Sequence, residues 1–380
     1  MKETKTMNDI DVRRFVDINI KQHVETQISG TRDTLVLYTH EGTLGKISGN
    51  TVTSIGDNEI LASWAAASAI YPAQTFPDTN AYLSMYFQNA GARVVVIEGV
   101  DYTDLTADML KSLDNKFILV GLCAAKENVE LAYAALKKIA TTRETDKDVY
   151  GVNEKIIFGR TMTATDTDVI TNFASKYSKV FGAEMTMAAY LSGIDVYGVS
   201  TVNDYMYTAE SIDEEVLTDE LYETLSLNNI NVDTYFAGNV RDLGGNLKNG
   251  ADLTNSYVRI ILHQTLTDRL LELLVTKIKN VDGVGKIYAT ISKELENYRS
   301  CGYLSTDKVW TDKTMTVTVN GKQYTIIEEG TPLTNGYFVQ VLPMSALTEN
   351  DRAARKAPPI YVIIADQYGI RAITVNGEII

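Results

Sequence analysis

The spacing of apolar residues predicts two kinds of region along this chain. Val16, Ile18 and Ile20 alternate with polar residues, which predicts a strand behind a polar arm. Thr34 to Thr39 predicts a second short strand. Asn58 to Tyr71 predicts a helix, ended by Pro72 and Pro77, and Asp78 is placed to cap the next helix, which carries Tyr82, Leu83, Tyr86 and Phe87 on one face. From Arg93 to Glu98 the run Val94, Val95, Val96 and Ile97 predicts a strand buried on both faces. Thr106 to Leu113 is then a short helix and Phe117 to Leu122 a buried strand. Glu127 to Ala140 is a helix through Val129, Ala132, Tyr133, Leu136 and Ile139. Lys155 to Gly159 is a strand, and Asp168 to Phe181 a third helix capped by Thr165 or Asp166. This β-α-β-α-β-α order implies a parallel sheet with right-handed crossovers.

After Ala188 the alternation stops. Tyr205 to Thr208 and Val232 to Phe236 predict short strands, and the glycines from Gly238 to Gly250 predict a loop. Ser256 to Lys279 predicts the longest helix. Val258, Leu262, Leu266, Leu270, Leu274 and Ile278 recur every fourth residue, widened by Ile261, Leu271 and Leu273, with Lys277 and Lys279 near its negative end. Val281 to Gly285 predicts a turn, followed by a helix with Ile287, Ile291, Leu295 and Tyr298 on one face. The remainder is mainly strands. Met315, Val317 and Val319 lead through Asn320-Gly321, a hairpin signal, to Tyr324 to Ile327. Tyr337 to Leu342 is a strand, Leu347 to Ala357 a helix ended by Pro358-Pro359, and Ile360 to Ala365 and Ile370 to Val375 are strands. The fold class expected is α/β plus α+β.

Composition narrows the function. The chain of 380 residues is long enough for two or three domains. Its net charge of −14 repels nucleic acid and anionic membranes, so neither is expected as a primary partner. The most apolar stretch, Ile60 to Ile70, is too short to span a bilayer, and the first thirty residues lack a signal-peptide run. Cys123 and Cys301, far apart in sequence, read as free thiols of a reducing cytoplasm, with a disulfide between them as the alternative. Tyrosine occurs 22 times against two tryptophans, which fits surfaces covered by a partner as well as it fits compositional bias.

The strand–helix units call for a search for nucleotide chemistry. No G-x-G-x-x-G follows Ile97, Leu122 or Phe158. Gly42-x-x-Gly45-Lys46 and Gly283-x-Gly285-Lys286 lack the spacing and the hydroxyl of a phosphate-cradling loop and read as turns. His23, His40 and His263 have no ligand pairs at metal spacing, and no G-x-S-x-G elbow nominates a nucleophile. Glu98-Asp101-Asp104 and Asp166-Asp168 follow strands, where a magnesium site could sit, but solvated loops and caps explain them. No catalytic residue, cofactor or metal is expected, and an enzyme acting on a small nucleotide-like or phosphorylated ligand stays open on fold class alone.

Three segments resemble the contractile bacteriophage tail sheath family. Asn350-Asp351-Arg352-Ala353-Ala354-Arg355-Lys356-Ala357-Pro358-Pro359-Ile360 is similar to its D-R-x-A-R-K-A-P-P-I run, which precedes a C-terminal strand pair. Tyr82 to Val96 is similar to its helix-to-strand element, with Ala90-Gly91 at the paired glycines. Ala188-Ala189-Tyr190-Leu191-Ser192, Asn229 to Tyr235, the glycine-rich loop and the long helix follow its order of elements. The family often has a tryptophan early in the long helix, where this chain has Tyr257 or Val258.

The resemblance implies a non-enzymatic structural subunit, made in the bacterial host cytoplasm and resident in the virion tail. It would polymerise as six-fold rings in a helical sheath, with tail tube, baseplate and tail terminator proteins as partners. A sheath-like component of a bacterial contractile injection machine is an alternative. The implied fold has an N-terminal arm and strand (1–30), an outer domain of β-α-β units on a largely parallel sheet (31–200), an inner α+β domain (201–358) and a C-terminal strand pair (359–380).

Strands exchanged between subunits would run through Val16, Ile18 and Ile20 and through Ile370, Ile373 and Val375, or these strands pair within their own subunit. An extended arm of about 25 residues reaches roughly 80 Å, against a radius of gyration near ~16 Å for a domain of about 180 residues. In an acidic chain, Arg352, Arg355 and Lys356 are the candidates for contact with tube or lattice, or else a solvated helix face. Contraction would be a repacking that buries surface and needs no nucleotide.

Overall fold

The computed structural model describes residues 19–20, 32–42, 47–48, 51–52, 60–113, 117–145, 155–197, 205–206, 208, 210–275 and 280–367. In chain order the elements begin with β1 (Asn19–Ile20), β2 (Thr34–Thr39), β3 (Ile47–Ser48), β4 (Thr51–Val52), α1 (Trp64–Ile70), α2 (Pro77–Gln88) and β5 (Arg93–Ile97). Next are α3 (Ala107–Ser112), β6 (Leu119–Cys123), α4 (Val129–Thr145), β7 (Ile156–Thr161), β8 (Phe173–Tyr177) and α5 (Met185–Ser192). Then come α6 (Asp219–Leu227), β9 (Asn231–Phe236), β10 (Asn239–Asp242), α7 (Leu253–Val275) and α8 (Asn280–Ser300). The chain continues through β11 (Met315–Val319), β12 (Lys322–Ile327), β13 (Tyr337–Val341), α9 (Glu349–Ala353) and β14 (Ile360–Ile364).

Seven strands form the main sheet in the order β5-β2-β6-β7-β8-β9-β10. All neighbours are parallel except β10, which turns back antiparallel on β9. Strands β2 and β5–β8 are buried on both sides, so alternate residues enter different cores. Val36, Tyr38, Val95, Val120 and Ile157 pack with Leu110 of α3 and Leu136 of α4. Leu35, Leu37, Val94, Leu119 and Phe158 face a larger core with Leu83 of α2, Leu191 of α5, Leu262 of α7 and Ile291 of α8. That core runs on without a break to Val362 of β14, so the sheet and the C-terminal strands share one interior. The sheet also takes in residues 231–242, beyond the boundary expected at residue 200.

Most predicted elements form, and the differences have local causes. Asp168 to Phe181 is not a helix. Phe173 to Tyr177 is a parallel strand in register with β7, Ile157 against Phe173 through Thr161 against Tyr177. Asn172 turns the chain at φ 55 just before it. Phe173 and Ala174 feed opposite cores, a period of two that one large apolar residue could not announce. Helix α1 starts only after Ser63, whose hydroxyl caps it, because Leu61 is held by paired hydrogen bonds to Val94 at the sheet edge. Asp78 is not the cap of α2. Pro77 opens that helix, and the capping oxygen comes from elsewhere in the chain. Of the strand predicted at Tyr205 to Thr208, Tyr205 is instead a bend, and Thr208 bonds to Asp242 of β10. The first part of the predicted glycine-rich loop is β10, reached through Ala237 (φ 49) and Gly238 (φ 90). The turn predicted at Val281 to Gly285 is the start of α8, where open space around Gly285 removes any packing reason for a break. Helices α5 and α6 were not predicted. Helix α9 is one short turn, ended by Arg355 at φ 58.

Candidate assembly interface

The C-terminal strands make a second, three-stranded sheet in the order β1-β14-β13. Strand β13 is antiparallel to β14, from Tyr337 against Ile364 to Val341 against Ile360. Strand β1 lies parallel on the other side, Asn19 against Tyr361 and Ile20 against Val362. One face, through Tyr337, Val339, Ile360 and Val362, joins the large core under α7 and α8. The other face, through Phe338 and Tyr361, packs on Met315, Tyr324 and Ile326 of the β11–β12 hairpin. In that hairpin Asn320 and Gly321 take φ 51 and 76, the left-handed pair that a two-residue type I′ turn requires.

The phase of the β13–β14 ladder follows from its two ends. Leu342 N–H donates to the Pro359 carbonyl at 3.0 Å, and Ala365 N–H to the Gly336 carbonyl at 2.8 Å. Alternation between these ends turns the main-chain N–H and C=O of Tyr337, Val339 and Val341 to the outer side. No other described strand pairs with that edge. An edge that presents a row of donors and acceptors is a template for a further strand.

Of the expected interface residues, Ile20 lies in β1 and pairs within its own chain, whereas Val16, Ile18, Ile370, Ile373 and Val375 lie outside the described residues. The three basic candidates sit together on an exposed stretch, Arg352 in the last turn of α9 and Arg355 and Lys356 just after it, each in a different state. The Arg352 guanidinium donates to the Leu347 carbonyl at 2.9 Å. Lys356 pairs with Asp351 at 2.8 Å and lowers that carboxyl's pKa. Arg355 is exposed and has no ion pair among the described residues. Thr348 caps the helix ahead of them, accepting Asp351 N–H at 3.0 Å.

The carboxyl ends of the main-sheet strands, where α/β proteins take ligands, are occupied by internal bonds. Beside β2, where the strand order reverses, the Glu41 carboxylate accepts the N–H of Asp78 at 3.2 Å and of Thr79 at 2.7 Å. The chain's own carboxylate thereby fills the helix N-terminus that would attract a phosphate. His40 Nδ1 is 3.2 Å from the Cys123 carbonyl, and its Nε2 is 3.4 Å from Asp78, whose carboxyl is raised by burial and by Glu41. His40, Glu41 and Asp78 bring ligand atoms within 4.8 Å of one another, the spacing of a cation site. Glu41, however, already spends both oxygens on α2. Glu98 accepts the Tyr71 hydroxyl at 3.0 Å. Asp166 accepts Tyr133 at 2.6 Å and Lys137 at 2.7 Å, beside a shallow groove that Thr161 and Thr163 also line.

Sequence reasoning missed three features. The open edge of β13 follows from strand order, which no local pattern carries. Tyr235 and Phe236 project at the tip of the β9–β10 hairpin, exposed by 65% and 46%. The third is a buried charge centre at Lys176 in β8, with Asp233 and Glu210 at 2.7 and 2.8 Å.

With this geometry in hand, comparison with known proteins gives a consistent result. Residues 253–378 match the family described as E217 tail sheath protein gp31-like, C-terminal domain. No curated protein sequence matches the chain. Among solved structures, a chain of the six-fold symmetrised baseplate of the anti-feeding prophage is similar at 12% identity and TM-score 0.60, covering 100% of this chain and 99% of that one. The anti-feeding prophage helical sheath in its contracted state is similar at 14% identity and TM-score 0.58, covering 93% and 94%. The contracted sheath complex of the extracellular contractile injection system PVC gives 14% and 0.53, covering 96% of each. The resemblance to contractile tail sheaths is therefore met in sequence over the C-terminal third and in fold over nearly the whole chain.

Proposed function

We propose that this chain is the structural subunit of a contractile sheath, polymerising as stacked six-fold rings around a tube and driving that tube through a target envelope when the lattice repacks. The observation that carries the reading is the outer edge of β13, open along Tyr337, Val339 and Val341 in a sheet whose opposite edge is the two-residue β1. A donated strand would satisfy that edge by main-chain hydrogen bonds. The arm through Val16 and Ile18, ahead of the Ile20 that pairs within its own chain, and the segment through Ile370, Ile373 and Val375 are our candidates for the exchanged segments.

In this reading the main sheet with α3 and α4 forms the outer body. The three-stranded sheet, the β11–β12 hairpin and the α7–α8 pair face the tube. Arg355, exposed beside the internally engaged Arg352 and Lys356, is the basic group free to meet a tube or lattice partner. Baseplate and terminator proteins would contact the ends of the polymer. The subunit performs no chemistry of its own in this account, because the energy of contraction comes from buried interface.

Two kinds of particle fit this subunit. The C-terminal family match favours a phage tail, and the likeness to the anti-feeding prophage and PVC structures favours an injection machine without a capsid. Negative-stain microscopy of the purified protein tests the shared claim: striated cylinders or stacked rings are expected, and a uniformly monomeric preparation at high concentration overturns it. Particles purified from the source separate the two kinds by the presence or absence of a filled head.

A further inference from the structure

Lys176 is fully buried in β8 and stands among three carboxylates from three different segments. Its ammonium lies 2.7 Å from Asp233 of β9, 2.8 Å from Glu210 and 3.6 Å from Asp242 of β10. These carboxylate side chains are no more than 2% exposed. The remaining neighbours are neutral: the Thr186 hydroxyl of α5 at 2.6 Å and the Tyr205 hydroxyl at 3.0 Å, which also bonds Glu210. Glu184, just ahead of α5, feels the Lys176 charge and pairs with Arg160 of β7 at 3.7 Å. Glu215, beside β9, is engaged by Lys179. One ammonium therefore faces three carboxyls in a site closed to water. Like charges this close and this dry cannot all ionise.

Glu210 is the member of this group that does not belong to the sheet. Its N–H donates to the Val240 carbonyl at 3.0 Å, and Asp242 N–H donates to the Thr208 carbonyl at 3.3 Å. Through these two bonds the stretch around Thr208 and Glu210 covers the outer edge of β10. The side chain of Glu210, bound to Lys176 and Tyr205, holds it there.

We propose that the Lys176 centre is a proton-binding site that latches Thr208 and Glu210 over the edge of β10, so that loss of a carboxyl proton frees that edge. With protons on Asp233 and Asp242, the Asp233 carboxyl donates to the Glu210 carboxylate, and Glu210 alone balances Lys176. Ionisation of Asp233 or Asp242 leaves uncompensated negative charge beside Glu210, a residue outside the strands of the sheet. The environment supports this order of protonation. Burial, and then the neighbouring carboxylates, raise Asp233 strongly and Asp242 to about 7, while Lys176 holds Glu210 below its ordinary value. The inference does not depend on the sheath reading, since it concerns a single chain.

The sign follows from linkage. The latched form holds protons that the open form releases, so opening becomes easier as pH rises from the ordinary carboxylate range through the latched-state values. For each proton released, the opening constant rises about tenfold per pH unit in that window. Hydrogen exchange at the Glu210 and Asp242 amides, corrected for the intrinsic rate and followed from pH 5 to 8, reads this directly. Protection in the wild-type protein is expected to fall at least tenfold per unit over part of the range. Asp242→Asn and Asp233→Asn, each replacing one titrating carboxyl, are expected to flatten that slope. Infrared spectroscopy at neutral pH should show a protonated-carboxyl band that one of these variants removes. Wild-type protection independent of pH overturns the proposal, as does the absence of the band, and neither result requires that a variant fold.

Discussion

The carboxylate of Glu41 accepts the main-chain N–H of Thr79 at 2.7 Å, across 38 residues of chain. It closes the N-terminus of α2, a place where Pro77 supplies the first residue and no adjacent side chain supplies an oxygen. Glu41 lies just past the end of β2, so the bond ties the first parallel strand to the first long helix packed on it.

Removing this remote cap should destabilise the fold in the way that a local cap does. Glu41→Ala is expected to cost about 0.5–2 kcal/mol, the range for capping residues, and Glu41→Gln, which keeps an acceptor oxygen, to cost less. Chemical denaturation checks both. Equal stability of wild type and Glu41→Ala would show that water replaces the carboxylate without loss.

Tyr82, Glu184 and Arg160 form a second buried polar cluster. The Tyr82 hydroxyl donates to Glu184 at 2.7 Å, and the Arg160 guanidinium donates to the Ser178 carbonyl at 2.8 Å and stands 3.7 Å from Glu184. Burial raises the Glu184 carboxyl, and Arg160 opposes the rise. Arg160→Leu strands that carboxyl and should cost about 3–5 kcal/mol, with much of the loss recovered in Arg160→Leu/Glu184→Leu. A double-mutant cycle on unfolding free energy measures the coupling, and additive losses would contradict it.

His263 gives a pH prediction. It is buried in α7, and burial lowers its pKa from 6.5 to about 4. A depressed histidine is neutral when folded and takes up a proton on unfolding below pH 6.5. Its contribution is therefore complete above pH 6.5 and is lost as pH falls toward 4, at about 1.4 kcal/mol per unit at most. Unfolding titrations of wild type and His263→Gln should converge by about 3 kcal/mol over that window. Parallel curves would count against the assignment.

The open edge makes a prediction that separates folding from assembly. Val339 turns its N–H outward and Gln340 turns its N–H toward β14. Val339→Pro should keep a cooperatively folded monomer and abolish cylinders, because a donated strand loses a bond there. Gln340→Pro should unfold or strongly destabilise the subunit itself, because it removes a hydrogen bond of the β13–β14 ladder. Cylinders formed by Val339→Pro would remove the edge from the interface.

Much of the architecture could be read before any coordinates. The apolar runs at Val94 to Ile97 and Phe117 to Leu122 marked strands buried on both faces. The four-residue recurrence from Val258 to Leu270 marked the long helix, and Asn320-Gly321 marked the hairpin. Where a strand carried few apolar residues the reading failed. Phe173 to Tyr177 holds a buried lysine that only its neighbours neutralise, and the pattern around it passed for a helix.

By itself the sequence determined the period of the long, strongly apolar elements, and with them a mixed α/β chain with a mostly parallel sheet, because side-chain spacing is dictated by backbone geometry. It also carried the Arg352 to Ile360 run, the most specific part of the resemblance to contractile tail sheaths. The order of strands in space was decided only by tertiary packing, since pairing joins residues far apart in the chain. That order leaves the edge of β13 open and brings Lys176, Glu210, Asp233 and Asp242 into one dry centre. A charge's meaning depends on which other charges it is buried with, and that is a property of the fold rather than of the order of residues.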